Sequence, residues 1–120
     1  MRVNSKEPPA RGPDLAERLP GREIGIYTLT ESAGRQAQTL LLSVAPDLRI
    51  HLNHDHVGTP PLAALARNVD LFVVVAGSAK HAATDFIRAK RGDAPLVFAA
   101  GRGAASIIKA VEDWAHALGA

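Results

Sequence analysis

Four short stretches of this sequence hold the residue types and spacings that can bind or transform a ligand. The sharpest is Gly101-Arg102-Gly103-Ala104-Ala105-Ser106. Two glycines flank an arginine ahead of an amphipathic run, so backbone N–H groups, a guanidinium and the Ser106 hydroxyl one turn later can face an anion together. The Walker spacing and its Gly-Lys-Ser/Thr end are missing, as is the full dinucleotide fingerprint. The same glycines also suit a plain tight turn from strand to helix.

The other three stretches are less specific. In Gly77-Ser78-Ala79-Lys80-His81, Ser78 suits a helix cap, and Lys80 and His81 are expected over a ligand crevice, where they can meet a phosphate or carboxylate. A solvated lysine and a packed histidine are the plainer readings. In Asn53-His54-Asp55-His56, the two histidines share one side of an extended segment, roughly 6.5–7 Å apart at Cα. A catalytic metal would need a third ligand that only His81 or Glu31 can supply, so no metal is expected, and Asp55 or His56 is read as meeting a sugar hydroxyl or ordering its loop. In Thr30-Glu31-Ser32, Ser32 is expected to cap a helix, with Thr30 and Glu31 near the positive end of its dipole. Ser32 as a nucleophile would need a base, with His81 in view, and no nucleophile-elbow motif surrounds it. The aromatic residues Tyr27, Phe72, Phe86, Phe98 and Trp114 fit core or strand positions, and His51 and His116 are read as solvated.

Composition limits what these groups can do. The chain has 120 residues, enough for one domain and one core. With 47% hydrophobic and 22% charged residues the balance is that of a globular protein. Zero cysteines remove disulfides, thiolate nucleophiles and thiolate metal sites. Fourteen Lys and Arg against twelve Asp and Glu, with 4% aromatic residues, do not suggest a nucleic-acid surface. No apolar run approaches the ~18–20 residues of a membrane span and no signal peptide is visible, so a cytoplasmic location is expected. No cofactor is inferred.

The elements that position these stretches are legible from periodicity. Residues 1–21 carry Pro8, Pro9, Gly12, Pro13, Pro20 and Gly21 among mixed charges and read as a flexible leader, with the folded domain over 22–120. Strands are expected at 23–29, 49–53, 70–76 and 96–100. Each is followed by a helix, with apolar stripes at Ala33, Ala37, Leu40, Leu41 and Val44, at Leu62, Leu65, Ala66 and Val69, at Ala79, Ala82, Ala83, Phe86 and Ile87, and from Ala104 to Leu118. On the third helix Asp85, Arg88, Lys90 and Arg91 are placed outward. Thr59 and Pro60 mark a cap and first helical position. Asp70-Leu-Phe-Val-Val-Val-Ala76 is continuously apolar and β-branched, as a strand covered on both faces is, whereas Arg49-Ile-His-Leu-Asn53 alternates like an edge. Four βα units imply an α/β, doubly wound, flavodoxin- or Rossmann-like domain with a parallel sheet in the order 2-1-3-4 and helices on both faces. All four polar stretches then fall at the carboxyl ends of the strands. In that order Leu96–Ala100 is also an edge, yet it carries no charge, so a second copy or a larger partner protein is expected to cover it.

Residues 70–109 resemble a family of small bacterial Rossmann-like domains of unknown function, through the Asp70-led apolar strand, Ser78-Ala-Lys-His81, Lys90 before a Pro-led strand, and Gly101-Arg-Gly-Ala-Ala-Ser-Ile-Ile. Gly25-Ile-Tyr-Thr-Leu-Thr-Glu-Ser-Ala-Gly34 and Leu52-Asn-His-Asp-His-Val57 also look like the C-terminal region of phage-defence proteins encoded beside deazaguanine DNA-modification genes. The resemblance implies the α/β fold and singles out Ser78, His81, Gly101, Gly103 and Ser106, without supplying a reaction. The expectation is a module that binds or senses an anionic, nucleotide-like small molecule. A small hydrolase or glycosyl-transfer enzyme using Glu31 or Asp55 with His81, and a ligand-free interaction domain, are the alternatives.

Overall fold

A computed structural model describes residues 21–55, 58–75 and 81–118. Residues 1–20 of the expected leader, Ser78, Lys80 and His56 lie outside them. Among the described residues four strands alternate with four helices: β1 (Glu23–Tyr27), α1 (Glu31–Val44), β2 (Arg49–Asn53), α2 (Pro60–Asn68), β3 (Leu71–Val75), α3 (His81–Arg91), β4 (Leu96–Ala99) and α4 (Ala104–Leu118). The sheet is wholly parallel in the order β2-β1-β3-β4, the expected 2-1-3-4.

Side-chain alternation in the two inner strands sets the layers. Ile24, Ile26, Leu71, Val73 and Val75 point to one face, where Ala37, Leu41, Ile107 and Val111 of α1 and α4 cover them. Tyr27, Phe72 and Val74 point to the other, against Leu62, Ala66, Ala83 and Ile87 of α2 and α3. β3 is buried at every position, as its unbroken apolar run requires, while β2 shows Arg49 and His51 to solvent. At the amino edge Asp70 joins the inner strands: its carboxylate accepts from the Glu23 N–H (2.8 Å), and its own N–H donates to the Glu23 carbonyl (2.7 Å).

Two expectations need correction. Ser32 does not cap α1. The helix starts at Glu31 with Thr30 in the N-cap position, and the exposed Ser32 is the second helical residue. The Thr28 hydroxyl accepts from the Thr30 N–H (3.1 Å) and turns the chain into the helix that much earlier. Arg91 does not point outward but is 5% exposed. α2 leaves its last carbonyls without intrahelical partners, and the Arg91 guanidinium, arriving from the end of α3, donates to the carbonyls of Ala66 (2.8 Å), Val69 (3.0 Å) and Asp70 (3.4 Å). Burial pushes its pKa below the ordinary arginine value, and the Asp70 charge opposes that shift. Phe98 keeps its expected place in a strand and is 40% exposed on β4, beyond which the described residues place no further strand.

Candidate functional site at the carboxyl edge

The stretches 30–32, 53–55 and 101–106 are described, and all three stand at the carboxyl ends of strands. Where β1 and β2 end, backbone and side chains form one linked network. Thr28 N–H donates to the Asn53 carbonyl (3.1 Å), so the two chains part together. The Asn53 side-chain carbonyl accepts from the Asp55 N–H (2.8 Å), and its amide donates to an Asp55 carboxylate oxygen (3.2 Å). That same oxygen accepts from the Thr59 hydroxyl (2.5 Å), while Thr59 Oγ1 accepts from the Leu62 N–H (3.2 Å) and so caps α2 as expected. From beneath, the hydroxyl of the buried Tyr27 donates to the Asp55 carbonyl (2.6 Å). Burial, and secondarily the Asp55 charge, raises the Tyr27 pKa above its ordinary value.

Asp55 therefore orders its loop, one of the two roles expected for it. The loop is also held from above: a Cβ on Gly58 would stand 2.4–2.7 Å from ring atoms of Phe86, so only glycine lets α3 close over this turn.

Beside the network, Thr28, Gly34, Leu52 and Asn53 enclose a hollow of about 160 Å³ with Glu31, Arg35 and His54 on its rim. Glu31 lies 3.3 Å from Arg35 and 3.7 Å from His54, all three at least half exposed. His54 thus faces a carboxylate across the β1–β2 gap, and among the described residues no group of three or more His, Asp or Glu is arranged to hold a metal ion.

The third described stretch leaves β4. Neither Gly101 nor Gly103 has the positive φ seen at Gly21 (68°) and Gly92 (59°). Ser106 Oγ folds back over Gly101, 2.6 Å from where a Cβ would stand, so a side chain there would displace the serine hydroxyl. Gly103 meets no such neighbour: open space surrounds the position of its missing side chain, directly before α4. Ser106 N–H donates to the Gly103 carbonyl (3.2 Å), so the first turn is tight, and Arg102 beside it is exposed. Gly103 and Ala104 line one end of a groove between α1 and α4, whereas Ser106 lines a smaller recess with Phe98 and Ala100. Thr30 and Asp55 are thus linked through Thr28 and Asn53, and Gly101 and Ser106 through direct contact. His81 opens α3 at the same edge of the sheet, after β3.

Tyr27 and Thr59 also belong to this edge, though their residue types and spacing point only to a core aromatic and a helix cap. A phenol at the last position of a buried strand was the available signal, since a buried hydroxyl requires a partner. No described helix is long and apolar enough to cross a membrane.

A family model described as DpdD-like matches residues 3–110. Neither the curated proteins nor the solved structures contain a match to the chain.

Proposed function

The chain belongs to the DpdD-like family, and we propose that its carboxyl edge binds an anionic, nucleotide-like small molecule, making the domain a binding or sensor module of a phage-defence system. The support is physical. In an open parallel sheet, ligands settle outside the carboxyl ends of the strands where the strand order reverses, here between β1 and β3. The observation that carries the reading is the β4–α4 turn. Helix N-termini attract anions, and this one opens with Gly103, whose missing side chain leaves free space that neither strain nor contact inside the domain accounts for. Arg102 precedes it, and Ser106 follows one turn later.

Calorimetric titration with pyrophosphate and with nucleoside mono-, di- and triphosphates tests this reading. Arg102→Ala should weaken a phosphate ligand by about 1–3 kcal/mol, the worth of a charge-assisted bond, with the fold intact. Gly103→Asp separates ligand from helix. A carboxylate at the N-cap favours α4 itself but repels an anion, so the melting midpoint should hold or rise while binding is lost. Failure of every phosphate compound to bind, or equal affinity in wild type and both variants, would refute the site.

One observation favours a second reading, hydrolysis or glycosyl transfer. Asp55 is already engaged by Thr59 and Asn53, but the Glu31 carboxylate stands at the rim of a hollow between a guanidinium and an imidazole. Turnover of a bound nucleotide that disappears in Glu31→Gln, with binding retained, would select the enzyme over the sensor.

A further inference from the structure

The two edges of the sheet are built differently. β2 carries Arg49 and His51 on its exposed positions, and both lie beside Glu23 of β1, at 3.7 and 3.4 Å. Charge of this kind discourages a foreign strand from pairing. β4 reads Leu96-Val97-Phe98-Ala99, runs on to Ala100, and holds no charge; Phe98 and Ala100 are exposed. Charge reaches it from the helices: the Arg88 guanidinium of α3 lies 5.1 Å from the centre of the Phe98 ring, and Lys109 and Asp113 of α4 share a recess with Phe98 and Ala100.

Hydrogen-bond direction along β4 follows from its register. Phe72 N–H donates to the Pro95 carbonyl (3.2 Å), and Phe72, Val73, Val74 and Val75 lie opposite Leu96, Val97, Phe98 and Ala99. In a parallel pair alternate residues turn both backbone groups toward the same neighbour. Pro95, Val97 and Ala99 therefore face β3. Leu96, Phe98 and Ala100 turn their N–H and C=O away from the sheet, where no strand of the described residues meets them.

We propose that the partner of this edge is β4 of a second copy, paired antiparallel about a two-fold axis at Phe98, so that two four-stranded sheets join into one. Self-pairing about a two-fold perpendicular to the sheet must centre on a residue, because opposed side chains have to share a face. Centred on Phe98, Leu96 faces Ala100, Val97 faces Ala99, and Phe98 faces its own copy. Each larger side chain meets a small one, and the two aromatic rings pair at the axis. The residues with outward backbone groups are also the ones opposed, so all three such pairs exchange both of their hydrogen bonds. A centre at Val97 would pair Leu96 with Phe98 and leave Ala100 outside the ladder. Parallel self-pairing of the two β4 edges would need a two-fold along the strands, which turns opposed side chains to opposite faces of the sheet.

The absence of cysteine makes the test direct. In a hydrogen-bonded antiparallel pair the two Cα atoms are about 5.5 Å apart, inside the window a disulfide spans. Under mild oxidation Phe98→Cys should give a disulfide-linked dimer with wild-type circular dichroism, while Arg49→Cys on the charged edge should stay uncrosslinked. Sedimentation of the wild-type chain at micromolar concentration should show a dimer, and Phe98→Glu should raise its dissociation constant at least about tenfold, as loss of a central aromatic anchor does. If Phe98→Glu does not fold, the two cysteine variants and the wild-type sedimentation decide. A wild-type chain that stays monomeric throughout, or equal crosslinking of Phe98→Cys and Arg49→Cys, overturns the proposal.

Discussion

Replacing Arg91 with Met keeps the length of the side chain and removes the guanidinium from the place where three segments meet. Two short bonds are lost, to the carbonyls of Ala66 (2.8 Å) and Val69 (3.0 Å), together with a long one to Asp70 (3.4 Å). Bonds from a charged donor contribute about 1.5–3 kcal/mol each, so the two short ones amount to roughly 3–6 kcal/mol gross. The opposing effect is desolvation. The side chain is 5% exposed, no carboxylate hydrogen-bonds to it among the described contacts, and its Nε is buried without a partner. Removing a buried charge with an unsatisfied N–H returns about 1–3 kcal/mol, so the central values, about 4.5 against about 2, leave a net loss of about 2–3 kcal/mol. For a domain near 100 residues that lowers the melting midpoint by roughly 10–15 °C. Urea denaturation should show the same loss as a lower midpoint at unchanged slope. Arg91→Lys should fall between the two, because an ammonium keeps the charge but not the planar fork. Since Arg91 sits at the amino edge, phosphate binding at the carboxyl edge should be unaffected below the melting transition. An Arg91→Met chain as stable as wild type would refute the reasoning, showing that desolvation outweighs the three bonds.

Two further outcomes concern the network beneath the candidate site. Thr59→Ala removes both the α2 cap and the hydroxyl donor to Asp55, and should cost about 1–2 kcal/mol in thermal or urea unfolding; an unchanged midpoint would mean that the loop does not depend on this bond. The pKa of Tyr27 is raised by burial and by Asp55, so the protonated phenol is favoured in the folded state. Its contribution to stability is complete below the unfolded value of about 10 and declines as pH rises through the higher folded value. Tyr27 is the only tyrosine in the chain, so phenolate absorbance follows it directly, and Tyr27→Phe should flatten the alkaline decline in stability.

The alternation of short apolar runs with 3.6-residue stripes was sufficient for the parallel α/β sheet, because burial on two faces leaves a one-dimensional trace. Asp70-Leu-Phe-Val-Val-Val-Ala76 had to be central, Arg49-Ile-His-Leu-Asn53 had to be an edge, and right-handed crossovers then left the observed order. The Thr59 cap was local for the same reason: donor and acceptor lie three residues apart. What periodicity does not carry is the identity of a distant partner. Arg91 looked like one more cation at the end of a charged helix face; only the fold brings it to carbonyls 21–25 residues away. Tyr27 finds its acceptor 28 residues on, and Gly58 owes its small size to Phe86 on another element. The difference between Gly101 and Gly103 belongs to the tertiary structure too. The glycines stand two residues apart in one motif, yet the Ser106 hydroxyl folds over one and the other faces open space, because the course of the chain around a turn decides which missing side chain is filled by a neighbour.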